Sequence, residues 1–236
     1  MTDPIKMLAA LAAEAGIDLN DDMLARFGRY SELLREWNER MNLTAITDER
    51  DIAVKHFYDS LLLLTEADIP KGASVIDIGT GAGFPGVVLK IARPDIKLTL
   101  MDSLAKRLTF LEALLGELGL DAALIHSRAE DGASGELRES FDIATARAVA
   151  ALPVLCEYCL PYVKPGGSFV ALKGPSAAEE LTLAKKAIDL LGGADAEISS
   201  RKLPSGDERC FVTVKKKSQT PTKYPRNSAK IAKFPL

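Results

Sequence analysis

The ten residues Asp77-Ile78-Gly79-Thr80-Gly81-Ala82-Gly83-Phe84-Pro85-Gly86 are where chemistry would be concentrated. Glycines at this density let a chain turn sharply and let a ligand approach the backbone closely. The loop follows a short apolar run, so it falls in the crevice beyond the strand ends where open α/β sheets bind ligands. Amide N–H groups opening a helix there favour a carboxylate or a phosphate. Gly81 to Gly86 also matches G-x-G-x-x-G, the dinucleotide fingerprint, with Asp102 nineteen residues beyond Gly83.

Two features tilt the loop away from NAD. Pro85 stands at an expected first helical position and removes a donor that a pyrophosphate would use. Asp77 would repel a pyrophosphate but could accept hydrogen bonds from an ammonium group. The methionine end of S-adenosylmethionine carries an ammonium, a carboxylate and a sulfonium, and no phosphate. The expected cofactor is therefore S-adenosylmethionine, held by Asp77, Gly79, Gly81 and Gly83. Asp102, ending the second strand, offers two oxygens to two ribose hydroxyls. Glu130, after the third strand, falls where an adenine edge would lie. An NAD-linked oxidoreductase and a non-catalytic ribosome-associated binding module remain the alternatives.

The elements that must position these residues alternate. Residues 1–66 read as a helical extension, with a stripe of Met23, Leu24, Phe27, Tyr30, Leu33, Leu34 and Trp37, a break between Asn38 and Asn42, and a further helix over 50–66. Strands are expected at 74–80, 97–103, 121–127, 141–148 and 167–174, with helices at 85–92, 104–118 and 176–192 between them. Strands near 195–202 and 209–216 form a hairpin across Pro204-Ser205-Gly206. The fold class is an open, mostly parallel seven-stranded α/β sheet of Rossmann-like, methyltransferase type with a terminal antiparallel hairpin. The expected divisions are a helical extension (1–66), a cofactor-binding domain (67–217) and a basic tail (218–236) that is mobile when free.

Composition narrows the setting. No apolar run approaches the roughly 20 residues needed to span a bilayer, so no membrane partner is expected. The odd count of three cysteines argues against a disulfide framework and for the cytoplasm. Cys156 and Cys159 lack histidines or a second cysteine pair nearby, so they read as buried thiols and no metal site is expected. The net charge of −3 hides an asymmetry: Lys215, Lys216, Lys217, Lys223, Arg226, Lys230 and Lys233 have no acid among them, and taking these seven from the 30 basic residues leaves 23 against 33 acidic ones. A basic tail on an acidic body suits either a solubilising end or a polyanion contact.

With those residues in hand, the chain resembles the ribosomal RNA small-subunit methyltransferase G family over most of its length. The resemblance rests on Asn38 to Thr44, His56-Phe57-Tyr58-Asp59-Ser60, the glycine loop, Asp102 to Arg107, Arg128-Ala129-Glu130, Ala146-Arg147-Ala148, Leu172-Lys173-Gly174 and Tyr224-Pro225-Arg226. It departs from the family pattern at Asn227-Ser228-Ala229-Lys230. The resemblance implies N7 methylation of one guanine in 16S ribosomal RNA or the small subunit, by a monomer. It also implies that Gly79, Phe84, Ala129, Glu130 and Arg147 line the cofactor or active site. Guanine N7 carries an in-plane lone pair, so no general base is needed. Cations should address O6 instead, and Arg147 is the first candidate, with Lys173 the second. Lys106, Arg107, Arg128, Arg209 and the tail lysines are candidates for phosphate contacts. His56 and Asp59 read as a buried hydrogen-bonded pair or as a wall on the substrate side.

Overall fold

Residues 3–236 are described by the computed structural model. The strands are β1 (Ser74–Ile78), β2 (Lys97–Asp102), β3 (Ala123–His126), β4 (Phe141–Arg147), β5 (Val163–Lys173), β6 (Gly193–Lys202) and β7 (Glu208–Lys216). They form one sheet in the order β3-β2-β1-β4-β5-β7-β6. The first five are parallel, and β7 runs antiparallel to both β5 and β6. The order reverses at β1/β4, which sets the ligand crevice above those strand ends.

Before the sheet lie α1 (Pro4–Glu14), α2 (Asp21–Met41), α3 (Glu49–Asp51), a π-helical stretch (Ile52–Tyr58), α4 (Asp59–Leu61) and α5 (Leu63–Glu66). Within and after the sheet come α6 (Gly86–Ala92), α7 (Ala105–Leu118), α8 (Ala129–Gly132), α9 (Leu152–Cys159), α10 (Ala177–Leu190) and α11 (Ser228–Lys233). The Asn20 side chain caps α2 by accepting from Met23 N at 2.9 Å. Its stripe buries Phe27, Tyr30, Leu33 and Leu34 against α6 and α7. The expected break at residues 38–42 is displaced: the helix continues to Met41 and stops at Asn42, whose φ of 48° is left-handed. Asn38 is instead the last turn's tether, its Oδ1 accepting from Thr44 N at 2.8 Å.

Side chains alternate across a strand, and the two faces of this sheet bury different cores. Val75, Ile143, Val170, Leu172 and Phe211 face the N-terminal helices, α6 and α7. Ile76, Ile78, Ala144, Ala146, Phe169, Ala171 and Val212 face α9 and α10. By the same alternation Asp77, Thr145, Arg147 and Arg209 belong to the first face, and Lys173 to the second. β5, expected from residue 167, begins already at Val163 and carries Pro165-Gly166-Gly167 within it, absorbed by an irregularity in its pairing with β4.

The tail departs most from its expected mobility. Arg138 donates to the carbonyls of Thr220 at 2.6 Å and Tyr224 at 2.8 Å. Glu139 accepts from Thr220 N at 2.6 Å. Arg226 reaches Glu157 of α9 at 2.6 Å, and its backbone N–H donates to the same carboxylate. Glu157 is fully buried, and a buried carboxylate without a cation is costly. Lys216 is likewise buried in β7, donating to Leu160 O at 2.8 Å. Two of the seven basic residues are thus spent on the protein itself. Among the described residues, no helix is long and apolar enough to cross a membrane.

Candidate functional site

A crevice of about 280 Å³ opens at the carboxyl ends of β1, β2 and β3. Gly79, Asp102, Ala129 and Glu130 line it, with Ser103, Arg107, Arg128, Val149 and Tyr158. Only glycine fits at position 79, because its φ is 68° and a Cβ would come within 2.7 Å of Val149 Cγ2. Val149 reaches that place because Ala148, directly after β4, adopts a left-handed φ of 56°.

Six of the loop's amides are already committed. Gly79 N and Thr80 N donate to Met101 O, Gly83 N and Phe84 N to Thr80 O, Gly81 N to Asp102 Oδ2, and Gly86 N to Asp77 Oδ2. A pyrophosphate needs such donors free, so the expected anion cradle is not what the folded loop presents. Asp102, nearly fully buried, also accepts from Leu104 N at 2.9 Å and pairs with Arg107 at 3.1 Å. Its carboxylate thus lines the crevice and braces the loop at once. Spent amides and the acids Asp102 and Glu130 suit hydroxyl and amine donors better than phosphates. That is the donor pattern of a phosphate-free adenosyl cofactor.

Beneath the loop lies a packed layer. A Cβ at Gly81 would meet nothing nearer than Gly79 O at 4.0 Å. At Gly83 a Cβ would meet Tyr30 Oη at 2.6 Å and Val87 Cγ2 at 2.8 Å, so this glycine serves helix packing. Tyr30 Oη donates to Ala82 O at 2.5 Å. Phe84 is buried away from the crevice, stacked on Tyr30 at 5.3 Å and on His56 at 4.4 Å, with the Arg147 guanidinium 4.8 Å from its centroid. Asp77 does not line the crevice either. The loop folds over it, and its Oδ2 accepts from Thr80 Oγ1 at 2.7 Å and from Gly86 N at 2.9 Å. Among the described residues, its Oδ1 and the Oγ1 of its register partner Thr145 have no hydrogen-bond partner. Burial pushes the Asp77 carboxyl up to about 6, against the opposing pull of Thr80 and Gly86.

Beside the crevice the N-terminal helices complete a cationic centre. Arg147 Nη1 pairs with Asp59 Oδ2 at 3.0 Å, and Arg209 Nε pairs with Asp59 Oδ1 at 2.5 Å. Arg147 Nη2 donates to His56 Nδ1 at 3.2 Å, and His56 Nε2 lies 2.8 Å from Thr44 Oγ1. A guanidinium can only donate, so His56 Nδ1 is an acceptor and Nε2 carries the proton toward Thr44. Burial, with the positive charge of Arg147, drives the His56 pKa down to about 3, so the ring is neutral. His56 and Asp59 are therefore not a mutual pair; each holds Arg147. Asp142, at the opposite end of β4, pairs with Lys164 at 2.6 Å.

Lys173 is not brought to this group. It leaves β5 on the opposite face, pairs with Glu180 at 2.7 Å and donates to Ala150 O at 2.9 Å. Tyr158, Ser103 and Val149 went unidentified in the sequence. Tyr158 comes from α9 across the sheet, and nothing in its local pattern marks a crevice residue.

Comparison with known proteins agrees with this geometry. The family model described as rRNA small subunit methyltransferase G matches residues 23–209. A Geobacillus protein named "Ribosomal RNA small subunit methyltransferase G" is 53% identical over 226 residues, covering 94% of this chain and 95% of its own. A Staphylococcus aureus protein of the same name is 48% identical over 235 residues, covering 98% of each chain. Among solved structures, an SAM-dependent O-methyltransferase from Thermotoga maritima superposes with a TM-score of 0.55 at 16% identity, covering 79% of this chain and 72% of that one. A Corynebacterium glutamicum protein gives 0.56 at 18% identity, covering 93% and 100%. At those identities the structures speak for the fold, a methyltransferase-type sheet. The sequence match runs from the helix that supplies Tyr30, through glycine loop and Arg147, to Arg209 at the start of β7, and on that span the chain belongs to the rRNA small subunit methyltransferase G family.

Proposed function

We propose that this protein transfers the methyl group of S-adenosylmethionine to N7 of one guanine in small-subunit ribosomal RNA. The observation that carries the reading is the join between two half-sites: a crevice whose loop amides are spent and whose acids face it, and a buried arginine centre beginning one residue away at Arg147. Bound in the crevice, the cofactor supplies an electrophilic methyl group on a sulfonium.

The protein's own residues then have to bind, orient and exclude water. Asp102 accepts the ribose hydroxyls, Glu130 and the backbone at Ala129 face the adenine edge, and Gly79 lets the methionine end approach the backbone. Asp77, Gly83 and Phe84 act from beneath by holding the loop's shape, and Gly81, with its N–H on Asp102, lies on the loop's open side toward the cofactor. Arg147 donates to O6 of the acceptor guanine, next to the nitrogen that attacks. Guanine N7 has no proton to lose, so positioning carries the rate, a contribution of roughly 7–11 kcal/mol when two reactants are held aligned. Lys173 acts through Glu180 on the far face, bracing the chain after β4 through Ala150. In this reading residues 67–217 bind the cofactor, residues 1–66 complete the acceptor side, and residues 218–236 brace α9.

The major groove of A-form RNA is too narrow for side chains to reach N7, so the target is an unpaired or opened guanine. The protein acts as a monomer in the cytoplasm, on 16S ribosomal RNA or the small subunit. Mapping 7-methylguanine in ribosomal RNA from cells with and without the protein tests the reading. One position should lose its methyl group in the deletion and regain it on complementation. An unchanged map, or binding of NAD in preference to S-adenosylmethionine by equilibrium dialysis, would overturn it.

A further inference from the structure

Two neighbouring stretches, Asn38 to Thr44 and His56 to Ser60, meet the strand end at Arg147, 88 residues beyond Asp59. Their chemistry is unusual. Asp59 is fully buried, yet it faces two guanidiniums, Arg147 at 3.0 Å and Arg209 at 2.5 Å. His56 adds no negative charge, since its Nδ1 accepts from Arg147 while its other nitrogen is engaged by Thr44. Lys55 contributes only its carbonyl, 3.2 Å from Arg147 Nη1. The charges in direct contact, Arg147, Arg209 and Asp59, therefore sum to one positive in excess, while Asp77, whose carboxyl feels Arg147, makes no ion pair with either guanidinium. A purely structural ion pair would have no reason to collect that excess, because uncompensated buried charge costs stability.

We propose that Asp59 and His56 are positioning residues, which hold the guanidiniums of Arg147 and Arg209 side by side so that their unspent donors and excess charge meet the acceptor nucleotide. This deepens the function proposed above and rests on it. The geometry of the hold is specific. Asp59 takes one donor from each arginine. His56 takes a second from Arg147 and stacks on Phe84, fixing the plane against which the guanidinium lies. Thr44 Oγ1 fixes the His56 tautomer, and Asn38 fixes Thr44 through its backbone N–H. Arg147 can then address the base while Arg209, the more exposed of the two, addresses the flanking phosphate. His56 lies in the π-helical turn at Ile52–Tyr58, and Asp59 directly follows that turn as the first residue of α4. Such turns recur at functional sites.

The test compares Asp59→Asn, Arg147→Ala and the double variant in full-length protein. Three readouts are used: methyl transfer to small-subunit ribosomal RNA, the Kd for S-adenosylmethionine by calorimetry, and unfolding midpoint. Asp59→Asn should lower kcat/KM for RNA about 100-fold, through both KM and kcat, while the cofactor Kd stays within twofold. The double variant should lose clearly less than the product of the two single losses, because Asp59 acts in part through Arg147 and otherwise only through Arg209. Additive losses, or a cofactor Kd that weakens in step with activity, would overturn the proposal in favour of a general structural role.

Should Asp59→Asn fail to fold, Thr44→Val leaves every charge in place and removes only the partner of His56 Nε2. It should lower kcat/KM for RNA about fivefold without changing cofactor Kd. In the wild type, nitrogen-15 NMR of His56 should report a neutral ring protonated at Nε2 between pH 5 and 8; a ring protonated at Nδ1 would overturn the hold. An inactive wild-type protein with that His56 signature would sink the proposed function and leave the geometry standing. An active wild type with a fully active Asp59→Asn would do the reverse.

Discussion

Two fully buried carboxylates sit on opposite faces of the sheet, and each is met by arginine from distant sequence. Glu157 on the α9 face takes one arginine, Arg226, through Nε, Nη2 and the backbone N–H. Asp59 on the N-terminal face takes two, and each leaves donors unused. The first centre is balanced in charge, with both oxygens of Glu157 engaged by Arg226, as a fastening should be. The second holds excess charge beside a crevice. Buried ion pairs alone say little about stability or function; the imbalance is what separates a clasp from a site.

Removing one cation from each centre breaks the comparison most sharply. Arg226→Ala leaves Glu157 buried without a cation, and unfolding free energy should fall by about 3–5 kcal/mol. Methyl transfer per folded molecule should barely change. Denaturant titration beside single-turnover assays checks this, and an intact midpoint would mean that the tail is not fastened by Glu157. Arg147→Ala should do the opposite. Asp59 still keeps Arg209, so the midpoint should drop less than in Arg226→Ala. Losing one preorganised donor at a reacting centre should cost about 10²–10³ in kcat. Equal losses of stability and rate in both variants would erase the distinction.

The same comparison shows what the sequence could reveal. The glycine loop and Asp102 lie in one continuous strand–loop–helix–strand unit, so period and spacing sufficed to bring them together. The partners of Asp59 lie 88 and 150 residues away, and no window along the chain contains them. Lys173 read as a site residue because it ends a strand beside Arg147's. In the register Arg147 pairs with Leu172, so Lys173 stands one residue further and faces the other core. That parity depends on how β5 is bulged, which composition does not encode. The tail read as mobile because its residues are basic and weakly apolar. One buried glutamate in α9 reverses that balance, and its need for a cation shows only when burial is known.

A third buried carboxylate extends the series, since Asp77 makes no ion pair and feels Arg147 only from beyond contact. Its pKa is raised from 3.8 to about 6, burial being the main cause. A raised folded pKa means that folding favours the protonated acid. The stabilisation is full below about pH 4 and is lost as pH rises through 6, a change on the order of 3 kcal/mol for two pKa units. Asp77→Asn should therefore flatten the pH dependence of unfolding between pH 4 and 7. Thermal denaturation across that window checks it; parallel wild-type and variant profiles would show Asp77 to be ionised like an ordinary acid.

The smallest expected effects sharpen the boundary between loop and packing. Gly83→Ala places a methyl group against Tyr30 Oη and Val87, on the N-terminal face, with φ at 99°. Overpacking of this kind costs about 1–3 kcal/mol, and the strain should pass through Tyr30 to the Phe84 stack. Gly81→Ala makes only an ordinary contact with Gly79 O at 4.0 Å and carries the left-handed penalty of about 1–2 kcal/mol. If the crevice side of the loop binds cofactor while its inner side carries packing, Gly81→Ala should weaken S-adenosylmethionine binding more than it lowers the unfolding midpoint. Gly83→Ala should show the reverse ranking. Calorimetric Kd and melting curves on the two proteins separate the outcomes, and matching rankings would mean that the loop moves as one unit under either change.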